Sequence, residues 1–174
     1  MRAFEDFMVG EVMMFGPVAV SAHDIKSFAE RFDPQPMHLD DEAEQNTVVS
    51  GMFASGLHTV CVHMRLFAEG VLKDSASMGS PGVEAVRYLA PVRAGDSLTL
   101  RVEVVSARPS KSRPEMGLVV FRSQMINAQC MPVLELTGTA MFGPLSTSPE
   151  TPSVSAPDGS PPMVLAASER LTAT

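Results

Sequence analysis

Residues 55–72 read Ser55-Gly56-Leu57-His58-Thr59-Val60-Cys61-Val62-His63-Met64-Arg65-Leu66-Phe67-Ala68-Glu69-Gly70-Val71-Leu72. Leu57, Val60, Cys61, Met64, Ala68 and Val71 recur at helical spacing and trace one face. Val62, Leu66 and Phe67 populate the other faces, so the helix is apolar nearly all round, and such a helix is buried within a layer of other structure. The layer follows in sequence. Residues 83–88, 97–107, 117–128 and 133–142 are β-branched, partly alternating runs, parted by Pro91, Gly95-Asp96, the stretch 109–114 and Met131-Pro132. An earlier strand at 12–20 is interrupted at Gly16-Pro17, as at an edge or a bulge. One strand, then helices, then four strands joined largely by hairpins predicts an α+β domain with an antiparallel sheet curled around one buried helix.

Ahead of this helix, Ser21 and Asp24 form an S-x-x-D capping box, and Ile25, Phe28, Ala29 and Phe32 make the apolar stripe of a second helix. The stripe stops at Asp33. In Asp33-Pro34-Gln35-Pro36-Met37-His38 each proline lacks a backbone donor and disfavours the helical region in the residue before it, which predicts a stiff, extended loop. A short acidic helix is expected around 40–45.

The chain has 174 residues, 45% hydrophobic and 19% charged, enough for one domain with its own core, placed here at 1–143. Between Pro144 and Met163, 13 of 20 residues are Pro, Ser or Thr, so 144–174 reads as a tail too poor in apolar surface to order itself. A formal net charge of −7 without a strongly basic window argues against nucleic-acid binding, because phosphate neutralisation supplies most of that affinity. Glu5 and Asp6 interrupt the N-terminal apolar run, which does not read as a signal peptide, and no apolar stretch reaches the ~18–20 residues of a membrane span. A cytoplasmic protein is expected. Cys61 and Cys130 lie far apart with no metal-type spacing near either, which suits free thiols in a reducing compartment.

Asp33 and His38, five residues apart on a proline-stiffened loop, are able to face one spot, hold a water there and move its protons. The same residues also fit a turn aspartate and a surface histidine. Residues 48–56 then lead into the N-terminus of the apolar helix, where unpaired N–H groups and partial positive charge favour a developing oxyanion. Gly56 lets a carbonyl approach the backbone there, and Ser55 suits the N-cap, roles compatible with simple packing as well. His58 and His63 are five apart and face different ways, unlike a metal-binding i, i+4 pair; His58 borders a pocket or is a buried core histidine, and His23 reads as surface. The cations in Arg108-Pro109-Ser110-Lys111-Ser112-Arg113 fit a solvated hairpin tip or a contact to the phosphates of an anionic ligand. No GxSxG, Walker-type loop or GxGxxG is present.

The segment Asp33-Pro34-Gln35-Pro36-Met37-His38 resembles the D-x-N-P-x-H motif of the MaoC-like dehydratases and (R)-specific enoyl-CoA hydratases. The likeness continues through Leu39-Asp40-Asp41-Glu42-Ala43, Ala54-Ser55-Gly56-Leu57-His58-Thr59 and Val86-Arg87-Tyr88-Leu89-Ala90-Pro91-Val92-Arg93-Ala94-Gly95-Asp96. It implies the hotdog fold, and reversible hydration of a trans-2-enoyl thioester, usually on coenzyme A, to an (R)-3-hydroxyacyl product. It also implies that Asp33 and His38 bind the attacking water and that the Gly56 amide receives the thioester oxygen. In that division an ionised Asp33 accepts from the water and His38 helps deliver a proton to the α-carbon, the two titrating as a coupled pair. No metal or redox cofactor is required, coenzyme A entering as part of the substrate.

This chain departs from the family pattern in Gln35, where the family usually has Asn, in Ser55, where a histidine often precedes the glycine, and in Met64, where some members have serine. A pocket of Met37, Met52, Phe53 and Leu57 beside Ser55 and Gly56 would be apolar and adaptable, suited to an acyl chain. A hotdog thioesterase and a non-catalytic acyl-thioester-binding subunit are the alternatives; the Asp-to-His spacing and the intact pair favour the hydratase. The resemblance further implies at least a homodimer, with the pocket at or near the interface and the strand at 83–89 among its walls.

Overall fold

Alternation of apolar and polar residues sets the central strands. In β3 (Ser97–Pro109) Leu98, Leu100, Val102 and Val104 all point to one face and are buried, and in β4 (Gly117–Ile126) Val119, Phe121 and Met125 do the same. The register places Leu100 opposite Met125 and Val104 opposite Phe121, so the two sets meet on one side of the sheet. Side chains of this size contribute ~1.5–3 kcal/mol each when fully buried. β5 (Pro132–Phe142) adds Val133, Leu134, Ala140 and Phe142. β1 (Val12–Ala19) pairs with β3 and β2 (Ser77–Tyr88) with β5, giving a five-stranded antiparallel sheet of order β1-β3-β4-β5-β2. The computed structural model describes residues 1–40 and 49–144; the acidic helix expected near 40–45 and the tail fall wholly or largely outside them.

Three helices accompany the sheet: α1 (Ala22–Phe32), the single turn α2 (Pro36–Leu39) and α3 (Gly56–Phe67), which continues through a π-helical turn, Ala68–Leu72. α1 starts at Ser21, whose hydroxyl accepts from the Asp24 amide, as its S-x-x-D signature predicts. At the far end of α3, Phe67 packs edge-on to Phe121, which meets Phe7 and Phe142 in turn. This is the expected α+β hotdog arrangement, a sheet curled against one principal helix.

The structure corrects the sequence reading in three places. The face of α3 that holds Leu57, Cys61 and Met64 is exposed, and the helix instead buries His58, Thr59, His63, Leu66 and Phe67 against the protein. A five-stranded sheet covers only one side of a helix, so the apolar residues on the other side of α3 lie at the surface of the single chain. β2 begins at Ser77, six residues before the β-branched run, because an edge strand accommodates Gly79, Pro81 and Gly82 at bulges where a central strand would not. Finally, 33–38 is extended only as far as Gln35. Pro36 opens α2, since the first helical position needs no amide donor and suits the proline φ.

Other expectations concern the surface. The interruption at Gly16-Pro17 is a register slip between Phe15 and Val18 on the edge strand β1. Cys61 and Cys130 are free and exposed, and His23 is exposed. No helix among the described residues is long and apolar enough to cross a membrane.

Candidate active site

The site is assembled from three short backbone segments. α1 ends as the Asp33 amide donates to the Ala29 carbonyl (2.9 Å), and Pro34 prevents another turn. Gln35, immediately before Pro36, is extended, and α2 then carries His38 on its one turn, closed by Asp40 donating to the Pro36 carbonyl (2.9 Å). The segment before α3 is stitched to both neighbours: the Phe53 amide donates to the Met37 carbonyl (3.3 Å) and the Ala54 amide to the Val92 carbonyl (2.8 Å). Arg93 fixes the approach by donating to the Ser50 (2.6 Å) and Met52 (3.3 Å) carbonyls.

These constraints bring Asp33, Gln35, His38 and Ser55 together. Ser55 is 1% exposed and caps α3, accepting from the Leu57 amide (3.2 Å) while donating its hydroxyl proton to Asp33 Oδ2 (2.6 Å). Gln35 Nε2 donates to Asp33 Oδ1 (2.6 Å), so each carboxylate oxygen has a donor. The Ser55 hydroxyl first, then the Gln35 amide and the nearby His38, hold the Asp33 carboxyl below its usual range and keep it ionised. His38 is 4% exposed. Its Nδ1 lies 2.8 Å from the Phe53 carbonyl, which only accepts, so Nδ1 carries the proton. In the neutral ring Nε2 then presents its lone pair 3.4 Å from Asp33 Oδ2.

A cavity of about 500 Å³ opens beside these groups, and its lining includes Asp33, His38, Ser55 and Gly56. Met37, Phe53 and Leu57 also line it, as the sequence suggested, whereas Met52 packs into the core and is not part of the wall. The Gly56 amide is the first N–H of α3 and has no hydrogen-bond partner among the described residues. Tyr88 lies flat enough on Gly56 that a Cβ there would sit 2.6 Å from its Cε1 and Cζ, so glycine is required for this approach.

Two contributors were not assigned from sequence. The Ser55 hydroxyl as partner of Asp33 spans 22 residues and has no local signature. Tyr88 is the chain's one tyrosine and sits within the quoted 86–96 stretch, a signal that was available. His58 is buried on the opposite side of α3 and stacks on Phe28 (5.0 Å, 13° between rings), away from this cavity. Among the described residues no three His, Cys, Asp or Glu side chains come together as a metal site.

Comparison with known proteins places this architecture. Residues 6–121 match the model of the MaoC like domain. The chain is 30% identical over 132 residues to the uncharacterized protein YdeM of Bacillus subtilis, covering 75% of this chain and 92% of that one. It is 28% identical over 120 residues to a 3-hydroxybutyryl-CoA dehydratase of Methylorubrum extorquens, covering 66% and 71%. The crystal structure of a MaoC-like dehydratase from Rhodospirillum rubrum superposes with a TM-score of 0.77 at 35% identity, over 83% of this chain and 98% of that one. With the family model matched across most of the sheet and every segment of the site, the chain belongs to the MaoC-like dehydratase family.

Proposed function

We propose that the protein is a hydro-lyase that adds water reversibly to a trans-2-enoyl thioester, with coenzyme A as the carrier, giving an (R)-3-hydroxyacyl thioester. The observation that carries this reading is the His38 Nε2 lone pair facing an ionised Asp33 on the wall of a cavity that also holds the unpartnered Gly56 amide. The similarity to a 3-hydroxybutyryl-CoA dehydratase supports it and suggests crotonyl-CoA as the first substrate.

In this mechanism one water donates its protons towards His38 Nε2 and Asp33. Its oxygen attacks the β-carbon of the enoyl group, and the thioester oxygen gathers enolate charge against the Gly56 N–H. A buried donor placed there lowers the barrier by roughly 3 kcal/mol. The water's proton passes to His38 Nε2 and then to the α-carbon, so no net proton is gained or lost. The division differs from the sequence expectation, in which Asp33 is the acceptor. Both Asp33 oxygens already accept hydrogen bonds, which weakens it as a base, and its remaining negative charge stabilises the transient imidazolium.

The exposed apolar side chains support a homodimer. Leu57 and Met64 on α3 and Val83, Val86, Tyr88 and Leu89 on and beyond β2 lie open in the single chain, and β2 is an unpaired edge. A second copy covers this face and completes the cavity wall next to Tyr88; a dilute monomer with full activity in sedimentation would contradict it.

The deciding assay follows the ultraviolet absorbance of crotonyl-CoA together with free thiol. Loss of absorbance without thiol release, reduced about 10²–10⁴-fold in Asp33→Asn and His38→Ala, is the expected result. Thiol release instead would mark a thioesterase, and a flat trace for short, medium and branched enoyl thioesters with folded protein would refute the hydratase.

A further inference from the structure

Residues 50–55, which carry the chain into α3, belong to no helix or strand, so no ladder of backbone hydrogen bonds holds them. Two consecutive peptide planes within them are nonetheless each pinned at both ends. In the first, the Met52 carbonyl accepts from Arg93 Nη1 (3.3 Å) and the Phe53 amide donates to the Met37 carbonyl (3.3 Å). In the second, the Phe53 carbonyl lies 2.8 Å from His38 Nδ1 and the Ala54 amide donates to the Val92 carbonyl (2.8 Å). The Phe53 ring also stands edge-on to that of His38 (5.0 Å, 86°). Of the four partners, Met37 and Val92 act through their backbone and His38 is the group being held. Arg93 is the one that reaches in with a side chain from a distant turn.

That turn is a firm base. The Arg93 amide donates to Asp96 Oδ2 (2.8 Å), and the Asp96 amide returns to the Arg93 carbonyl (3.1 Å). The Gly95 amide donates to the Val20 carbonyl (2.8 Å) and the Val20 amide to the Asp96 carbonyl (2.9 Å), which ties the turn to the chain leading into α1. From here the guanidinium spans two carbonyls, because Nη2 also donates to Ser50 (2.6 Å). Ser50 and Met52 flank Gly51, whose φ of 73° turns the chain around the guanidinium and where a Cβ would stand 3.3 Å from Nη1. Hydrogen bonds from a guanidinium are charge-assisted, and its planar fork fixes geometry as well as energy.

Val49, Phe53 and Val92 line the catalytic cavity, but Arg93 is not among the described residues of its wall. Its influence on the reaction therefore runs through Phe53. Each peptide unit is rigid, so releasing the Met52 carbonyl lets the linked planes turn and swings the Phe53 carbonyl off His38. A neutral imidazole carries a single ring proton, and the other tautomer has a partner waiting: a proton on Nε2 would face Asp33 Oδ2, 3.4 Å away. In that form Nε2 is a donor and has no lone pair to offer a water. The Phe53 carbonyl thus selects between two tautomers, of which only one is a base at the cavity.

We propose that Arg93 is a positioning residue: by clamping the Ser50 and Met52 carbonyls on either side of Gly51 it holds the Phe53 carbonyl against His38 Nδ1, and so keeps the Nε2 lone pair open to the proton of the attacking water. The effect on rate rests on the hydratase reading above, whereas the effect on the tautomer is measured without any substrate.

The test compares the wild type with Arg93→Met and Arg93→Lys by two readouts. Nitrogen NMR of isotope-labelled histidines at mildly alkaline pH shows which ring nitrogen of His38 holds the proton, its signals being those missing from His38→Ala. The wild type should give the Nδ1–H form and Arg93→Met a mixture with the Nε2–H form, while the signals of His23, His58 and His63 stay in place. In crotonyl-CoA hydration, kcat should fall about tenfold to a hundredfold in Arg93→Met with KM little changed. Arg93→Lys, which keeps the charge and a donor but not the fork, should move less in both readouts. An Nε2–H ring in the wild type overturns the proposal, as does a folded Arg93→Met in which the tautomer or kcat is unmoved. A raised KM with kcat unchanged overturns it too, since Arg93 would then act on the substrate directly. If Arg93→Met does not fold, Arg93→Lys decides, a partial shift towards Nε2–H with a lowered kcat supporting the clamp and wild-type values overturning it. If no enoyl thioester reacts with the wild type, the hydratase reading fails by itself and the tautomer alone decides on the clamp.

Discussion

Acidifying the solution loads a proton onto every histidine of the unfolded chain, but the fold resists it at His63. Burial lowers this group from 6.5 to about 4, and no other ionisable side chain lines the small cavity beside it, between α3 and the β2–β5 side of the sheet, to offset that loss of solvation. Between those values the unfolded state binds a proton that the folded state does not, so stability is fully present above about pH 6.5 and falls as pH drops towards 4. Taking one proton and the two values, the loss between about pH 7.5 and about pH 4.5 is on the order of 2 to 3 kcal/mol. Urea unfolding of the wild type and His63→Leu at both pH values isolates it. Asp33, His58 and the remaining titrating groups are common to both proteins and cancel in the comparison. The wild type should lose about 2 to 3 kcal/mol more than the variant, on the order set by that arithmetic, and His63→Leu should be at least as stable near neutrality because it removes two buried polar atoms that have no partner among the described residues. Equal losses in the two proteins would show that His63 titrates freely in the folded state and refute the reasoning.

Two further perturbations probe the candidate site. Ser55→Ala removes the N-cap of α3 and should cost about 1 kcal/mol in thermal unfolding. It also removes the largest influence holding Asp33 down, so the acid limb of the pH–rate profile should move up in pH; an unmoved limb would mean that Asp33 ionisation does not govern the rate. Gly56→Ala places a methyl group 2.6 Å from the Tyr88 ring. The displaced ring and methyl group should lower kcat/KM for crotonyl-CoA roughly tenfold to a hundredfold by moving the thioester. Full activity in that variant would remove Gly56 from the site.

Much of the architecture was legible because it is local. The Ser21 cap, the proline stop after Asp33, the alternation in β3 and β4 and the hairpin signals each depend on a few neighbouring residues, and the element order followed from them. The Asp33 and His38 pairing was legible for the same reason, since two prolines stiffen the short span between them, although the helical turn that carries His38 was read as extended. The exposed side of α3 was not. Periodicity identifies an apolar face but not what covers it, and here Thr59 and His63, polar by type, go inward while Leu57 and Met64 stay outside. The early start of β2 was hidden too, because Gly, Ser and Pro signal a turn unless an edge position and a partner such as β5 supply the hydrogen bonds.

The sequence by itself determined α1, α3, the order of strands along the chain and the short proline-bounded segment that carries an acid and an imidazole, because each is set by backbone propensity and spacing within about a dozen residues. Tertiary structure alone decided that Ser55 reaches back to donate to Asp33, that Phe53 fixes the His38 tautomer, and that Tyr88 lies on Gly56. It also decided that both His63 ring nitrogens are buried beside a bulged edge strand without a partner among the described residues. These are contacts between residues 15 to 32 apart or more, and no local pattern encodes them; they exist only once the sheet and α3 have packed.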